Sequence, residues 1–184
     1  FPHSLGILYA AVTKYLGFQH GNDEYKVMGL ASYGRPEYID IFKDMVKLLP
    51  DGEYRMNSDY FTYWASAGSR EGFMSKKFID ACGPIRIKDQ EIEERHMNIA
   101  ASLQKILEDT TLHIADYLHK KTGGKNLCVA GGVGLNCSMN YRLLQDSPFE
   151  TVFVQPSAHD AGTSLGSAYY IYNIILGESR DFVL

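Results

Sequence analysis

The chain has 184 residues, 45% of them hydrophobic and 22% charged, with a formal net charge of −4. That length suits one globular domain or a large part of one, and the acidic balance with no Lys/Arg cluster argues against a nucleic-acid surface. No apolar run approaches the roughly eighteen residues of a transmembrane helix and no signal peptide is visible, so a cytoplasmic protein without membrane contact is expected. The three cysteines, Cys82, Cys128 and Cys137, form no Cys-x-x-Cys pair and no even framework. Free thiols of a reducing compartment are expected. The chain opens Phe-Pro-His without Met, and is expected to be a piece of a longer protein.

In chain order, Ser4 is suited to cap a helix whose apolar face is Leu5, Leu8, Tyr9, Val12, Tyr15 and Leu16, ended by Gly17. A polar stretch from His20 to Gly34 reads as a loop, a short helix over 25–31 and a turn at Gly34-Arg35-Pro36. Pro36 is placed to start the next helix, with Tyr38, Ile41, Phe42, Met45 and Leu48/Leu49 on one face. Pro50-Asp51-Gly52 is a turn. Residues 53–64 carry β-type side chains in partial alternation and read as two short strands, followed by a loop over 66–72. A short helix over 76–82 ends at Gly83-Pro84. Asp89 begins the longest helix, with an apolar line from Ile99 to Leu118 and a stop at Gly123-Gly124. Residues 127–130 form a buried strand that opens into a glycine turn and a helix through Met139, Leu143 and Leu144. A second strand over 151–154 ends in a turn and a last helix through Leu165, Ala168, Tyr169, Tyr172, Ile175 and Leu176. This β-α-β-α second half predicts parallel strands with covering helices and a ligand at the strands' C-terminal ends.

Two turns fall there. The first, Gly131-Gly132-Val133-Gly134-Leu135-Asn136, lets backbone approach a ligand and offers free N–H groups to an anion such as a phosphate. A tight strand-to-helix turn with Asn136 as a simple cap is the alternative. The run is neither a dinucleotide fingerprint, since Cys137 stands where the third glycine belongs, nor a P-loop, since Gly-Lys-Ser/Thr is absent. The second turn, residues 155–162, holds His159 and Asp160. Either Ser157 or Asp160 is simply the N-cap of the last helix, or Asp160 is a carboxylate ligand for a hard cation or iron. Adjacent side chains rarely point the same way, so His159 is not counted with it. His96, His113 and His119 make no i, i+4 pair and read as packed or solvated. Glu24 and Lys26 are either a solvated salt bridge or part of a ligand-lining loop.

Four stretches, Pro2-His-Ser-Leu-Gly6, Asp23-Glu-Tyr-Lys-Val-Met-Gly-Leu-Ala-Ser-Tyr-Gly34, Gly131-Gly-Val-Gly-Leu-Asn136 and Gln155-Pro-Ser-Ala-His-Asp-Ala-Gly-Thr-Ser-Leu-Gly-Ser-Ala168, together resemble the O-carbamoyltransferases of Nod-factor and antibiotic biosynthesis. The resemblance runs over essentially the whole chain. It implies an α/β fold of the actin/Hsp70 (ribonuclease H-like) type, with residues 1–184 a single piece of the N-terminal domain of a larger enzyme. That domain is similar to the metal-dependent enzyme that makes threonylcarbamoyl-adenosine in tRNA. The implied reaction takes carbamoyl phosphate and ATP to carbamoyl-adenylate in a separate domain, then moves the carbamoyl group to a hydroxyl of a small, sugar-like acceptor.

By the same resemblance, Asp160 is the carboxylate ligand of a catalytic divalent metal, iron by expectation. Gly131, Gly132, Gly134 and Asn136 hold the adenylate phosphate and ribose, and Glu24, Lys26 and Gly34 line the nucleotide or acceptor pocket. The family's other metal ligands form an upstream His-x-x-x-His, which this chain lacks. The isolated chain is therefore expected to be inactive, to bind metal weakly and to self-associate through surface left uncovered. Acceptor specificity is expected from loops, with Tyr33, Tyr60, Tyr63 and Trp64 as aromatic residues of interest. The alternatives are threonylcarbamoyl transfer to tRNA, against which the acidic balance argues, and a nucleotide-binding switch of the Hsp70/actin type without group transfer.

Overall fold

A computed structural model describes residues 2–62 and 73–181. Tyr63, Trp64 and the 66–72 loop lie outside them. The order of elements is α1 (Leu5–Tyr15), α2 (Glu24–Ala31), α3 (Ile39–Met45), β1 (Val46–Leu48), β2 (Tyr54–Met56), α4 (Lys76–Cys82), α5 (Glu94–Thr122), β3 (Asn126–Val129), α6 (Cys137–Asp146), β4 (Thr151–Val154) and α7 (Gly162–Tyr169). The class is mixed α/β.

The long α5 is the spine. Its buried residues Ile99, Ala100, Leu103, Ile106 and Leu107 meet Leu8, Val12 and Tyr15 of α1, Phe42 and Met45 of α3 and Phe78 of α4. Phe78 stacks edge-on against Tyr15 at 4.9 Å and Phe42 at 6.0 Å, an arrangement aromatic quadrupoles favour. Ser4 caps α1 as read from the sequence, accepting from the Ile7 N–H at 3.3 Å. Gly34 seats the turn after α2 directly on α5, where a Cβ would stand 2.1 Å from the Met97 carbonyl oxygen. The Asn98 side chain accepts from the Arg35 N–H there.

Three boundaries differ from the sequence reading. Helix α3 starts at Ile39 rather than Pro36, and Leu48 belongs to a strand, because β1 pairs antiparallel with β2 in the register Val46↔Met56. Of the two strands expected over 53–64, β2 is present but its partner lies upstream, and Ser58–Tyr60 is a 3-10 turn. Helix α5 begins at Glu94 instead of Asp89; Asp89 has φ +68°, outside the helical range, and Glu93 with His96 closes a capping box.

The second half has the expected β-α-β-α order, but the strand expected as buried over 127–130 runs Asn126–Val129 with only Leu127 buried, because one face of the strand pair is uncovered. Strands β3 and β4 are parallel, in the register Leu127↔Val152, with α6 as the crossover helix. Leu127 and, on α6, Met139 and Leu143 are buried on one side of the pair. On the other face, Cys128 is exposed and Phe153 is 51% exposed. Helix α7 passes into a π turn over Tyr170–Ile175, and neither segment contains a buried residue. All three cysteines are free. Burial pushes the Cys82 thiol up to about 12. Among the described residues no helix is long and apolar enough to cross a membrane.

Candidate functional site

The two turns meet at the C-terminal ends of β3 and β4. The Gly131 N–H donates to the Ala158 carbonyl at 2.6 Å, and the Gln155 N–H donates to the Val129 carbonyl at 3.1 Å. Gly134 lets them approach: a Cβ there would lie 3.2 Å from that of Ala158. Gly131 has φ +102°, which side chains other than hydrogen rarely tolerate. Gly132–Leu135 then forms a 3-10 turn. The N–H groups of Gly132 and Val133 open that turn and have no partner within it. A Cβ on Gly131 or Gly132 would meet nothing within 4 Å, so the space beyond them is open.

Asn136 is both a cap and a tie. Its Oδ1 accepts from the Met139 N–H at 2.8 Å and from Gln104 Nε2 at 3.0 Å, and its Nδ2 donates to Gln104 Oε1 at 2.9 Å. Its acceptor positions are filled, and its amide also hydrogen-bonds the Tyr9 hydroxyl, so the side chain is fully engaged within the protein.

Asp160 does not cap α7: the residue before the helix is Ala161, in helical geometry and without a side-chain cap. The Asp160 carbonyl accepts from the Thr163 N–H and hydroxyl at 3.0 and 2.6 Å. Its exposed carboxylate has no partner among the described residues, and Gly162 holds the turn tight, since a Cβ there would lie 2.2 Å from the Ser157 carbonyl oxygen. Among the described residues no three His, Cys, Asp or Glu side chains could hold a metal ion together. One carboxylate does not make a metal site, so these residues by themselves do not fit the expected metal.

The 23–34 stretch divides. Lys26 pairs with Asp23 at 2.9 Å rather than with Glu24, and Asp23 also accepts from the Gln19 N–H at 3.0 Å. The Lys26 hydrogen bond holds the Asp23 carboxyl below its ordinary range. Both residues line a cleft of about 680 Å³ with Phe18, Arg86 and Lys88; the glycine turn and Asp160 are not on its walls. Glu24 accepts from the Gly21 N–H at 2.6 Å. Gly34, packed on α5, lines neither this cleft nor the apolar one described next. On α2, Met28 Sδ lies 3.7 Å from Cys137 Sγ, so this helix reaches the start of α6. The apolar cleft, of about 340 Å³, runs from Leu5 and Gly6 past Ile114 and Leu118 to Val133 and Gly134.

Of the aromatic residues, Tyr33 is 79% exposed, whereas Tyr60 is buried and donates to Asp44 at 2.8 Å. The sequence reading placed Tyr9 on an apolar helix face and passed over Gln104 and Glu108; the three are linked by hydrogen bonds to one another and to Asn136 at the end of the glycine turn. The available signal was Gln104 itself, a polar residue on the helical line through Ala100, Leu103 and Leu107, all buried.

A model of the carbamoyltransferase N-terminus matches residues 1–169. The chain belongs to the carbamoyltransferase family. The chain is 42% identical over 182 residues to an uncharacterized protein of Synechocystis, covering 98% of the chain and 29% of that protein. It is 39% identical over 189 residues to the nodulation protein NolNO of Sinorhizobium fredii, covering 97% of the chain and 24% of the relative. It is 40% identical over 174 residues to the nodulation protein NolO of Bradyrhizobium diazoefficiens, covering 93% and 29%. The chain thus spans less than a third of the length of these relatives.

Proposed function

We propose that the chain is part of an ATP-dependent O-carbamoyltransferase, in an N-terminal domain of actin/Hsp70 type. The two turns are then the place where carbamoyl-adenylate gives up its carbamoyl group. The observation that carries this reading is the joining of an open glycine turn to a turn with an unpartnered carboxylate, through the Gly131–Ala158 hydrogen bond.

In this reaction the acceptor oxygen attacks the carbamoyl carbon and the carbon–oxygen bond to the adenylate phosphate breaks. AMP leaves with that electron pair, and the hydroxyl proton passes to solvent. Negative charge grows on the leaving phosphate. The N–H groups of Gly132 and Val133 and the start of α6 point fixed partial positive charge at such an anion. Asp160 is proposed as one ligand of a divalent metal, iron by expectation, completed by residues outside this chain. Glu24 and Lys26 are proposed contributors to the nucleotide or acceptor pocket; Gly34 shapes the end of α2 behind them.

The partners proposed are carbamoyl phosphate, ATP, a sugar-like hydroxyl acceptor and the remaining domains of the parent protein, in the cytoplasm. The test is Asp160→Ala in the full-length protein. An unchanged melting temperature with loss of label transfer from carbamoyl phosphate to acceptor supports the reading. Wild-type transfer by the variant contradicts it.

A further inference from the structure

The glycine turn is braced from below by a polar network. The Tyr9 hydroxyl, on α1, donates to Gln104 Oε1 at 3.1 Å. Gln104 Nε2, on α5, donates to Glu108 Oε1 at 2.8 Å and to Asn136 Oδ1 at 3.0 Å, and its Oε1 accepts from Asn136 Nδ2 at 2.9 Å. All four hydrogen-bonding positions of the Gln104 amide are filled. Both amide orientations are forced. Glu108 can only accept, so the Gln104 amino group must face it, and the Met139 N–H can only donate, so Asn136 Oδ1 must face that. Gln104 and Asn136 are 7% and 9% exposed, so loss of either partner strands buried polar atoms. From α6, Asn140 Nδ2 donates to the Gly134 carbonyl at 2.7 Å, tying the turn on its other side.

We propose that Gln104 is a positioning residue: its paired amide fixes the direction in which the 131–136 turn presents its N–H groups to a ligand phosphate. This rests on the reading of that turn as the adenylate site. Gln104 itself touches no ligand and acts through Asn136. Its occupied hydrogen bonds make the turn rigid before ligand arrives, which is where preorganised dipoles have their value.

The test uses the full-length protein with AMP as the probe, reading hydrogen exchange in the 126–140 segment. This separates the turn from nucleotide sites elsewhere in the parent. In the wild type AMP slows exchange there. Gln104→Leu raises the half-saturating AMP concentration about tenfold. Tyr9→Phe, which deletes the hydroxyl that donates to Gln104 and bonds the Asn136 amide, raises it about fivefold.

Gln104→Glu adds a pH readout, and keeps the test alive if the leucine variant does not fold. The titratable groups that bond residue 104 are Tyr9 on α1 and Glu108 on α5; behind them, Glu24 on α2 and Cys137 on α6 act on Tyr9, and Arg142 on α6 pairs with Glu108. Ionised, it faces Glu108 and the Asn136 oxygen with no hydrogen to give. Protonated, it recovers one donor. AMP affinity relative to wild type at the same pH is therefore lowest near pH 8 and recovers toward pH 5.5.

Variants that melt earlier yet saturate at the wild-type AMP concentration, with no pH dependence of their own, overturn the proposal, because Gln104 is then structural only. A wild type whose 126–140 segment ignores AMP overturns the adenylate-site reading, and the proposal with it.

Discussion

The half of the molecule built on α5 and the end built on β3, β4 and α7 obey different packing rules. Around α5, Ile99 and Leu103 are fully buried and helices from three parts of the chain close over them. At the other end, Ile174 and Ile175 are 60% and 62% exposed, and α7 buries nothing. Parallel sheets are normally covered on both faces. Here one face is covered by α6 and the other carries exposed Phe153. The first region is a finished core. The second is left bare on one side, and it carries both candidate turns. The buried core and the uncovered face thus differ in packing, which lets mutations separate their effects on stability.

The largest effect expected is in the core. Leu103→Ala should lower unfolding free energy by about 2–5 kcal/mol, and Ile174→Ala should change it by less than about 0.5 kcal/mol. Equal losses in urea titrations would erase the distinction. Within the turns, Gly162→Ala should destabilise by about 1–3 kcal/mol, because its Cβ has no room beside the Ser157 carbonyl. Gly132→Ala has open space and should melt like the wild type. Its methyl group should still weaken transfer by the full-length protein about tenfold or more, by blocking approach to the N–H groups. A Gly132→Ala protein that transfers normally would return the turn to a purely structural role.

Exposed apolar surface gives a third contrast. The isolated chain should associate with rising concentration, and Ile171→Ser with Ile174→Ser should suppress this. A monodisperse wild-type monomer in light scattering would mean that the bare face needs no cover. The shallowest effect is in pH. His96 is fully buried, and burial, with Arg95 beside it, pushes its pKa below the ordinary 6.5. The unfolded chain therefore takes up a proton first, and stability should fall as pH drops below about 6.5. His96→Gln should flatten that slope in pH-dependent denaturation; an unchanged slope would place its origin elsewhere.

Local chemistry made much of this legible in sequence. Ser4 capping α1, the helix ending at Cys82 and the strand over 151–154 all follow from caps, stops and β-branched runs. Strand β1 was hidden because Val46 and Leu48 continue the apolar spacing of α3, while their partners lie beyond the Pro50-Asp51-Gly52 turn. The start of α5 was hidden because its capping pair is Glu93 and His96 rather than a Ser or Thr. At the site, the glycines and Asp160 stand out by type and spacing. The Gln104–Asn136 pair joins residues 32 apart in sequence, and only the packing of α5 on α6 reveals it. Lys26 illustrates the opposite case, since the nearby Asp23 holds it at a separate cleft from the glycine turn.

The central claim is that this chain serves carbamoyl-adenylate chemistry. The most direct measurement incubates the full-length protein with ATP and carbamoyl phosphate and follows AMP, omitting each substrate in turn. The account predicts AMP only when both are present. No AMP, or ADP formed from ATP alone, would contradict it and favour a nucleotide switch.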